Sequence, residues 1–489
     1  MLMSNGVYYS QDVLGNRHNR LYDLILIALS TVLLLVYFWQ GTRIMSYIVM
    51  AIYFFCVYVQ FKEKRYGTFF FYLTFFLFLL GTVFFGLFDR ELLYNFPDQE
   101  TERHTMLCLG LAMIGVYIGS VVKWKRIVFG KPYRRIYETD GLVKQNASAK
   151  MRGFLRYAYF FTAVFEFINV LAKAVFVQAN SYVAYYLDYQ APLPYFVLWF
   201  ANVSSLFYYF YLGTKPSKKR AMLPTGIYLF IGIASLFFGQ RNVFFVRAII
   251  VLCYFFIRNK DASEGTVWIT KKQIIFLIIL LPFAILFMSL WDSIRSNRAY
   301  SQHSILDGIR EALLTQGNCI SILDYEHQFR SMLPDRPFAI GGIITMLRNN
   351  LVSRIIGIPS VPAKANTIET ALNGYSFSCS LMYLQNRTGY LLGYGIGSCY
   401  IAELVNTFGY LGIVIGSVIY GAILKKLTRL SIRGFMTTGF ALCMFQQLLL
   451  APRSSFDSFI TGTFQISYLF VAALCWFLSK KIWPAEAYE

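Results

Sequence analysis

The sequence predicts an all-α, polytopic membrane protein with about twelve transmembrane helices and a long, partly helical external loop between spans nine and ten. Three observations predict it. Of the 489 residues, 57% are hydrophobic and only 14% charged, against about a quarter charged in an ordinary soluble domain. The apolar residues fall in blocks close to 20 long, the length that crosses a bilayer as a helix. The basic residues behind the net charge of +20 lie mostly between those blocks, as topology determinants do. This balance excludes a disordered chain, a disulfide-rich secreted domain and most cytosolic enzymes. Five of the eight cysteines (Cys56, Cys108, Cys253, Cys443, Cys475) sit in apolar spans as small hydrophobes, and none follows metal-ligand spacing.

The spans are expected near 21–38, 44–61, 68–88, 105–122, 154–178, 195–213, 221–238, 243–257, 273–291, 404–424, 434–450 and 458–478. They divide the chain into a nine-span bundle (1–291), an external loop (292–403) and a three-span bundle with its tail (404–489). Met1 to Arg20 is polar and no cleavable signal peptide is expected. Alternate connections carry 28 Lys and Arg on one side and five on the other, the long loop excluded. The richer side is cytoplasmic by the positive-inside rule, so both termini are expected there and the long loop outside. Residue type adds a second asymmetry. The cytoplasmic set holds 17 Lys and 11 Arg, whereas the external set holds 13 Arg and one Lys, Lys364. Topology is served equally by both residues, but only Arg offers a planar fork for phosphate or carboxylate. An external site for an anionic ligand follows. Pairing with the acids of the same loop, or codon bias, is the plainer alternative.

A connection of about 110 residues is long enough to be functional. Ser304 to Leu333 reads as an amphipathic helix pair. Ala339 to Ile356 reads as another helix, with Ile343, Leu347 and Leu351 on one face and Gly357 as its stop. Such helices would lie at the membrane surface and roof a cavity between spans. The remainder, 363–403, reads as a loop folded back over that cavity.

Candidate residues follow from charge in apolar surroundings. Arg241 stands in the tight turn Gly239-Gln-Arg-Asn242, and Arg453 in the similar turn Ala451-Pro-Arg453. Arg247 lies ~9 Å deeper than Arg241 at 1.5 Å per residue; snorkelling is its alternative. Glu166 and Lys173 share a stripe of the fifth span and must face protein or water, either for function or as a packing pair. His303 and His327 titrate near neutrality and could act as a general base or be plain surface residues. The run Gly395-Ile-Gly-Ser-Cys-Tyr-Ile-Ala-Glu403-Leu-Val-Asn406-Thr-Phe-Gly409-Tyr-Leu-Gly412 places Glu403 at the outer mouth of the tenth span and Asn406 one turn deeper. Capping and packing are the alternatives there. Asp98 and Glu100, in the acidic loop 89–104, read first as solvated residues and only second as metal ligands. No P-loop, zinc, Rossmann or Gly-x-Ser-x-Gly motif is present, and no cofactor or metal is expected.

The Gly395–Gly412 run, the Gly239–Asn242 turn ahead of a span, the large late loop and, loosely, Pro337 to Gly342 resemble the Wzy family of O-antigen and capsule repeat-unit polymerases. The related O-antigen ligases share the plan, but His303 and His327 do not match their expected loop histidine. The resemblance implies a membrane-embedded, metal-independent glycosyltransferase in the bacterial inner membrane. It would transfer a glycan from undecaprenyl pyrophosphate to the terminal sugar of a second lipid-linked repeat unit at the outer face. A polysaccharide chain-length regulator is a candidate partner, and nucleic acid is not. Arg241, with Arg247, Arg298, Arg348, Arg354, Arg387 and Arg453, is expected to grip the pyrophosphate. Asn406 is expected at the sugars, and Glu403 first or His327 second at the acceptor hydroxyl. A lipid-linked oligosaccharide flippase, an O-antigen ligase and an export or scaffold component are the competing readings.

Overall fold

The computed structural model describes residues 8–122, 147–180, 184–185, 188–260, 267–275, 305–427 and 434–483. Side chains at 8–20, 90, 241, 305–309, 312, 351 and 352 lie outside that description. Among the described residues every regular element is helical. Ten helices among the described residues are long and apolar enough to cross a membrane. Their ends lie close to the expected ones, and Tyr195–Gly213 coincides with its expectation. Most of the expected ninth span, 273–291, lies outside the described residues. The expected twelfth is not one helix. It consists of Ser458–Thr461, a break, and Ile466–Phe477 running into a π-turn at Leu478–Ile482. The polar stretch Thr461 to Gln465 makes the break, with the helix ending in bonds from Gly462 N to Ser458 O (2.8 Å) and Thr463 N to Ile460 O (3.1 Å).

Two helices form the spine of the bundle, Gln99–Val121 and Tyr400–Leu427. Gly115 and Gly119 on the first and Gly421 on the second let their backbones meet, as small residues do between membrane helices. Asp98 caps the first, accepting from Thr101 N at 2.7 Å, so this member of the acidic loop has a structural task. The second is broken at Gly409 (φ 65°, ψ −165°). Only glycine takes that backbone without strain, and it lets the short arm 400–408 turn independently of the long one.

The segment 305–403 is mostly folded. Helices Ile305–Gly317 and Ser321–Phe329 realise the expected pair. The next expected helix divides into Gly341–Arg348 and Leu351–Ile355, and stops at Gly357 with φ 83°. The stretch read as a folded-back loop instead contains three short helices, Ile368–Asn373, Phe377–Gln385 and Arg387–Leu391. Thr367 and Asn386 cap two of them, accepting from Thr370 N (3.3 Å) and Gly389 N (2.8 Å).

Candidate functional site

A cavity of ≈ 1160 Å³ opens where segment 338–378 meets the starts of helices Tyr195–Gly213 and Ile466–Phe477, larger than the ~300–1,000 Å³ of ordinary small-molecule sites. One wall is Tyr195, Leu198, Trp199 and Asn202, and another is Gln465, Ile466, Ser467 and Phe470. The roof is built from Phe338 to Asn350, with Pro362 and Tyr375–Ser378 beside it; Glu403, Ser455 and Thr461 complete the lining. Asn202 Nδ2 joins the two walls, donating to Gln465 Oε1 (3.1 Å) and Ser467 Oγ (2.9 Å). Aromatic faces and neutral amides or hydroxyls dominate, a lining suited to sugars and to an apolar chain.

Two carboxyl groups lie at the cavity or against its roof. Glu403 is buried at 2% exposure. Its Oε1 accepts from Ser398 Oγ (2.6 Å) and its Oε2 from Phe456 N (2.8 Å). Asp457, beside Phe456, is buried too. Its Oδ2 accepts from Ile343 N at 2.7 Å, at the start of roof helix Gly341–Arg348, where a helix favours negative charge. Burial pushes the Asp457 carboxyl above its ordinary range, while backbone N–H groups of Ile343 and Gly342 pull the other way. Its Oδ1 has no hydrogen-bond partner among the described residues. Neither carboxylate forms an ion pair among the described residues. Gly341 is what lets the roof close: a Cβ there would strike the carbonyl of Tyr375. The Pro337–Gly342 stretch is thus the roof edge over Glu403.

The short arm 400–408 presents a polar residue to each of two places. Glu403 faces the cavity; Asn406 Nδ2 donates to Glu326 Oε1 at 3.3 Å, in a second polar cluster. There Arg330 grips Glu326 through two bonds of 2.8 Å. His104 lies between Tyr410 OH (2.7 Å) and Glu326 Oε2 (3.5 Å), stacked on His327 with ring centroids 4.4 Å apart. Burial, His104 and Arg330 hold the His327 imidazole below the ordinary histidine range. Burial works to raise Glu326, but His104 and Arg330 outweigh it and leave its carboxyl lowered. The cluster ties helix Ser321–Phe329 to Gln99–Val121 and to the turn at Tyr410. His327 and Asn406 therefore sit together, away from the cavity lining.

The five described arginines among those read from sequence, Arg247, Arg348, Arg354, Arg387 and Arg453, are not brought to one place. Arg247 is buried in the bundle, paired with Glu166, donating to Tyr228 O at 2.9 Å and lying over the Tyr228 ring at 4.4 Å. Lys173, expected with Glu166, instead lies over Phe238 at 5.6 Å. Arg348 donates to Pro359 O at 3.1 Å, Arg354 is exposed, and Arg387 covers Tyr383 at 5.3 Å. Arg453 meets Gln316 Oε1 at 3.4 Å and the Phe78 ring at 5.4 Å. The Arg241 side chain, Arg298 and His303 lie outside the described residues; Arg241 opens helix Arg241–Lys260 after a left-handed Gly239 (φ 87°). The sequence reading missed Asp457 and also Arg336, whose guanidinium lies 5.4 Å over the ring of Tyr375 in the cavity wall. Both answer to residues distant in the chain, and no local pattern announces them.

Comparison with known proteins supplies the family. The model for O-antigen polysaccharide polymerase Wzy matches residues 22–483. No curated protein and no solved structure gives a match. The chain belongs to the Wzy family of O-antigen polysaccharide polymerases, which polymerise repeat units and act on lipid-linked oligosaccharides in the membrane.

Proposed function

We propose that the cavity beside Glu403 is where one lipid-linked glycan is joined to the next. The donor is a glycan on undecaprenyl pyrophosphate and the acceptor a single lipid-linked repeat unit. The bond from the donor's anomeric carbon to the pyrophosphate breaks as a bond to the acceptor hydroxyl forms. The hydroxyl proton passes to Glu403, and undecaprenyl pyrophosphate leaves with the bonding pair. A good leaving group lowers the demand on the base, so a carboxylate suffices. Ser398 and Phe456 fix the carboxylate's orientation through one donor on each oxygen, leaving its remaining lone pairs for the substrate.

Charge growing on the pyrophosphate needs cations. Arg336 is a described candidate by its place on Tyr375 of the cavity wall, and Arg241 and Arg298 complete the proposed set. Arg247, already paired with Glu166, is assigned to architecture. The reaction needs no metal on this reading and persists in chelator. The 28-to-5 basic asymmetry supports cytoplasmic termini and a cavity on the outer face of the inner membrane. A chain-length regulator remains the proposed protein partner.

The observation that carries the reading is a buried carboxylate lining a sugar-sized cavity under the Pro337–Gly342 roof. Its test is the surface glycan of a strain carrying Glu403→Gln. We expect normal protein in the membrane and a lipid A core bearing one repeat unit, without a ladder. Normal ladders would overturn the assignment. In a strain without the gene the same single-unit product is expected. Absence of any unit would point to a ligase, and units retained on the cytoplasmic side to a flippase.

A further inference from the structure

Beyond the roof, the chain exposes more apolar side chain than the cavity requires. Ile355 is 77% and Ile356 68% exposed. Ile358, and Leu347 on the preceding helix, are exposed as well. The three isoleucines project from a closed hairpin. Gly357 N donates to Arg354 O (3.2 Å) and Ile358 N to Ser353 O (2.9 Å). Arg348 Nε holds Pro359 O at 3.1 Å, and the Asn349 amide holds Val361 by both its N–H (2.8 Å) and its C=O (2.9 Å). The tip has therefore met much of its own backbone hydrogen bonding while turning its isoleucines outward. That is the condition for placing a turn against hydrocarbon, where unmet polar groups are costly.

Its position agrees. Helix Gly341–Arg348 shares the cavity with Tyr195, Ile466 and Phe470, at the starts of helices Tyr195–Gly213 and Ile466–Phe477, whose side chains here are exposed and largely apolar. Only residues 349–352 separate the hairpin from that helix, so it stands near those exposed apolar helix ends. Arg354, exposed at its base, matches the negative charge of lipid headgroups.

We propose that residues 353–359 form a hairpin that dips into the bilayer interface beside the cavity mouth. Arg354 meets headgroup phosphate, and Ile355, Ile356 and Ile358 enter the acyl-chain boundary. The occupant of this face is bilayer lipid, and the effect is to hold the roof helix at the level where a lipid-linked glycan arrives. The inference does not depend on which residue serves as base.

The test uses the full-length protein in nanodiscs of phosphatidylethanolamine and phosphatidylglycerol. A nitroxide is attached at Ile356→Cys, in a background where Cys319 and Cys379, the two cysteines not buried, are Ser. Collisions with oxygen severalfold more frequent than with a water-soluble nickel chelate are expected. Preference for the chelate would place the hairpin in water and overturn the proposal. Shielding from both would mean that protein or a second copy covers it, and would overturn it too. Should the cysteine variant not fold, p-benzoylphenylalanine at position 356 gives the same decision: cross-linking to phospholipid supports the hairpin, and cross-linking to protein or to nothing contradicts it.

Discussion

Among the carboxylates this molecule shields from solvent, Glu166 in the bundle and Glu403 with Asp457 near the cavity differ in what meets the charge. In the bundle, Glu166 is matched by Arg247, which also bonds Tyr228 and stacks on its ring. Around the pair the Tyr228 and Tyr209 hydroxyls (2.5 Å) run on to Gln446 (2.7 Å). At the cavity, Glu403 and Asp457 are held by hydroxyl and backbone donors, with open volume beside Glu403. The cost of burying charge makes either site a functional candidate from sequence. Pairing tells them apart. A charge already neutralised by a packed partner holds helices together, whereas a carboxylate fixed by neutral donors beside a cavity is ready for a substrate proton.

The sharpest consequence is a split between variants that lose activity and variants that lose the protein. Glu403→Gln is expected to lower polymerisation by ~10²-fold or more, the usual weight of a general base, with the membrane yield unchanged. Breaking the bundle pair by Arg247→Ala strands a buried charge and is expected to cost about 3–5 kcal/mol, read as a lower melting temperature and a lower yield. The exchanged pair Glu166→Arg with Arg247→Glu should recover part of that loss. A stable but inactive Arg247→Ala protein would break the comparison, since it would move the chemistry into the bundle.

Smaller effects sharpen the cavity side. Asp457→Ala removes the acceptor for Ile343 N and is expected to cost about 1–2 kcal/mol, as helix caps do, with the roof exchanging hydrogen faster by mass spectrometry. Asp457→Asn keeps an acceptor oxygen and should retain most of the protection. The smallest effect concerns the second cluster. His327 titrates below its unfolded value, so between the two values the unfolded chain binds more protons. Its contribution is full above the ordinary histidine range and is lost as pH falls through the lowered folded value. Helix Ser321–Phe329 should loosen toward acid pH in hydrogen exchange, and His327→Gln should flatten that response.

The spans were legible because twenty apolar residues leave little choice of structure, and the break in the last one lay at Thr461–Gln465, where polar residues interrupt the run. The three helices within 363–403 were not legible. At six, nine and five residues they are too short for a 3.6-residue period to register. Glu403 could be read because it sits among glycines at a span's mouth. Asp457 could not, because its task is to cap Ile343, 114 positions away. The arginine bias did not say which guanidinium would be free for a ligand. Arg348, Arg387 and Arg453 each found local partners, because guanidinium serves a carbonyl, a ring or an amide as readily as a phosphate.

The most direct measurement is turnover by the purified full-length protein in nanodiscs, with a synthetic undecaprenyl-pyrophosphate repeat unit as donor and acceptor. Products are resolved by mass spectrometry and binding is measured on the same preparation. The account predicts that Glu403→Gln binds the lipid-linked unit as the unaltered protein does yet yields almost no two-unit product. Product at the unaltered rate from that variant would contradict it.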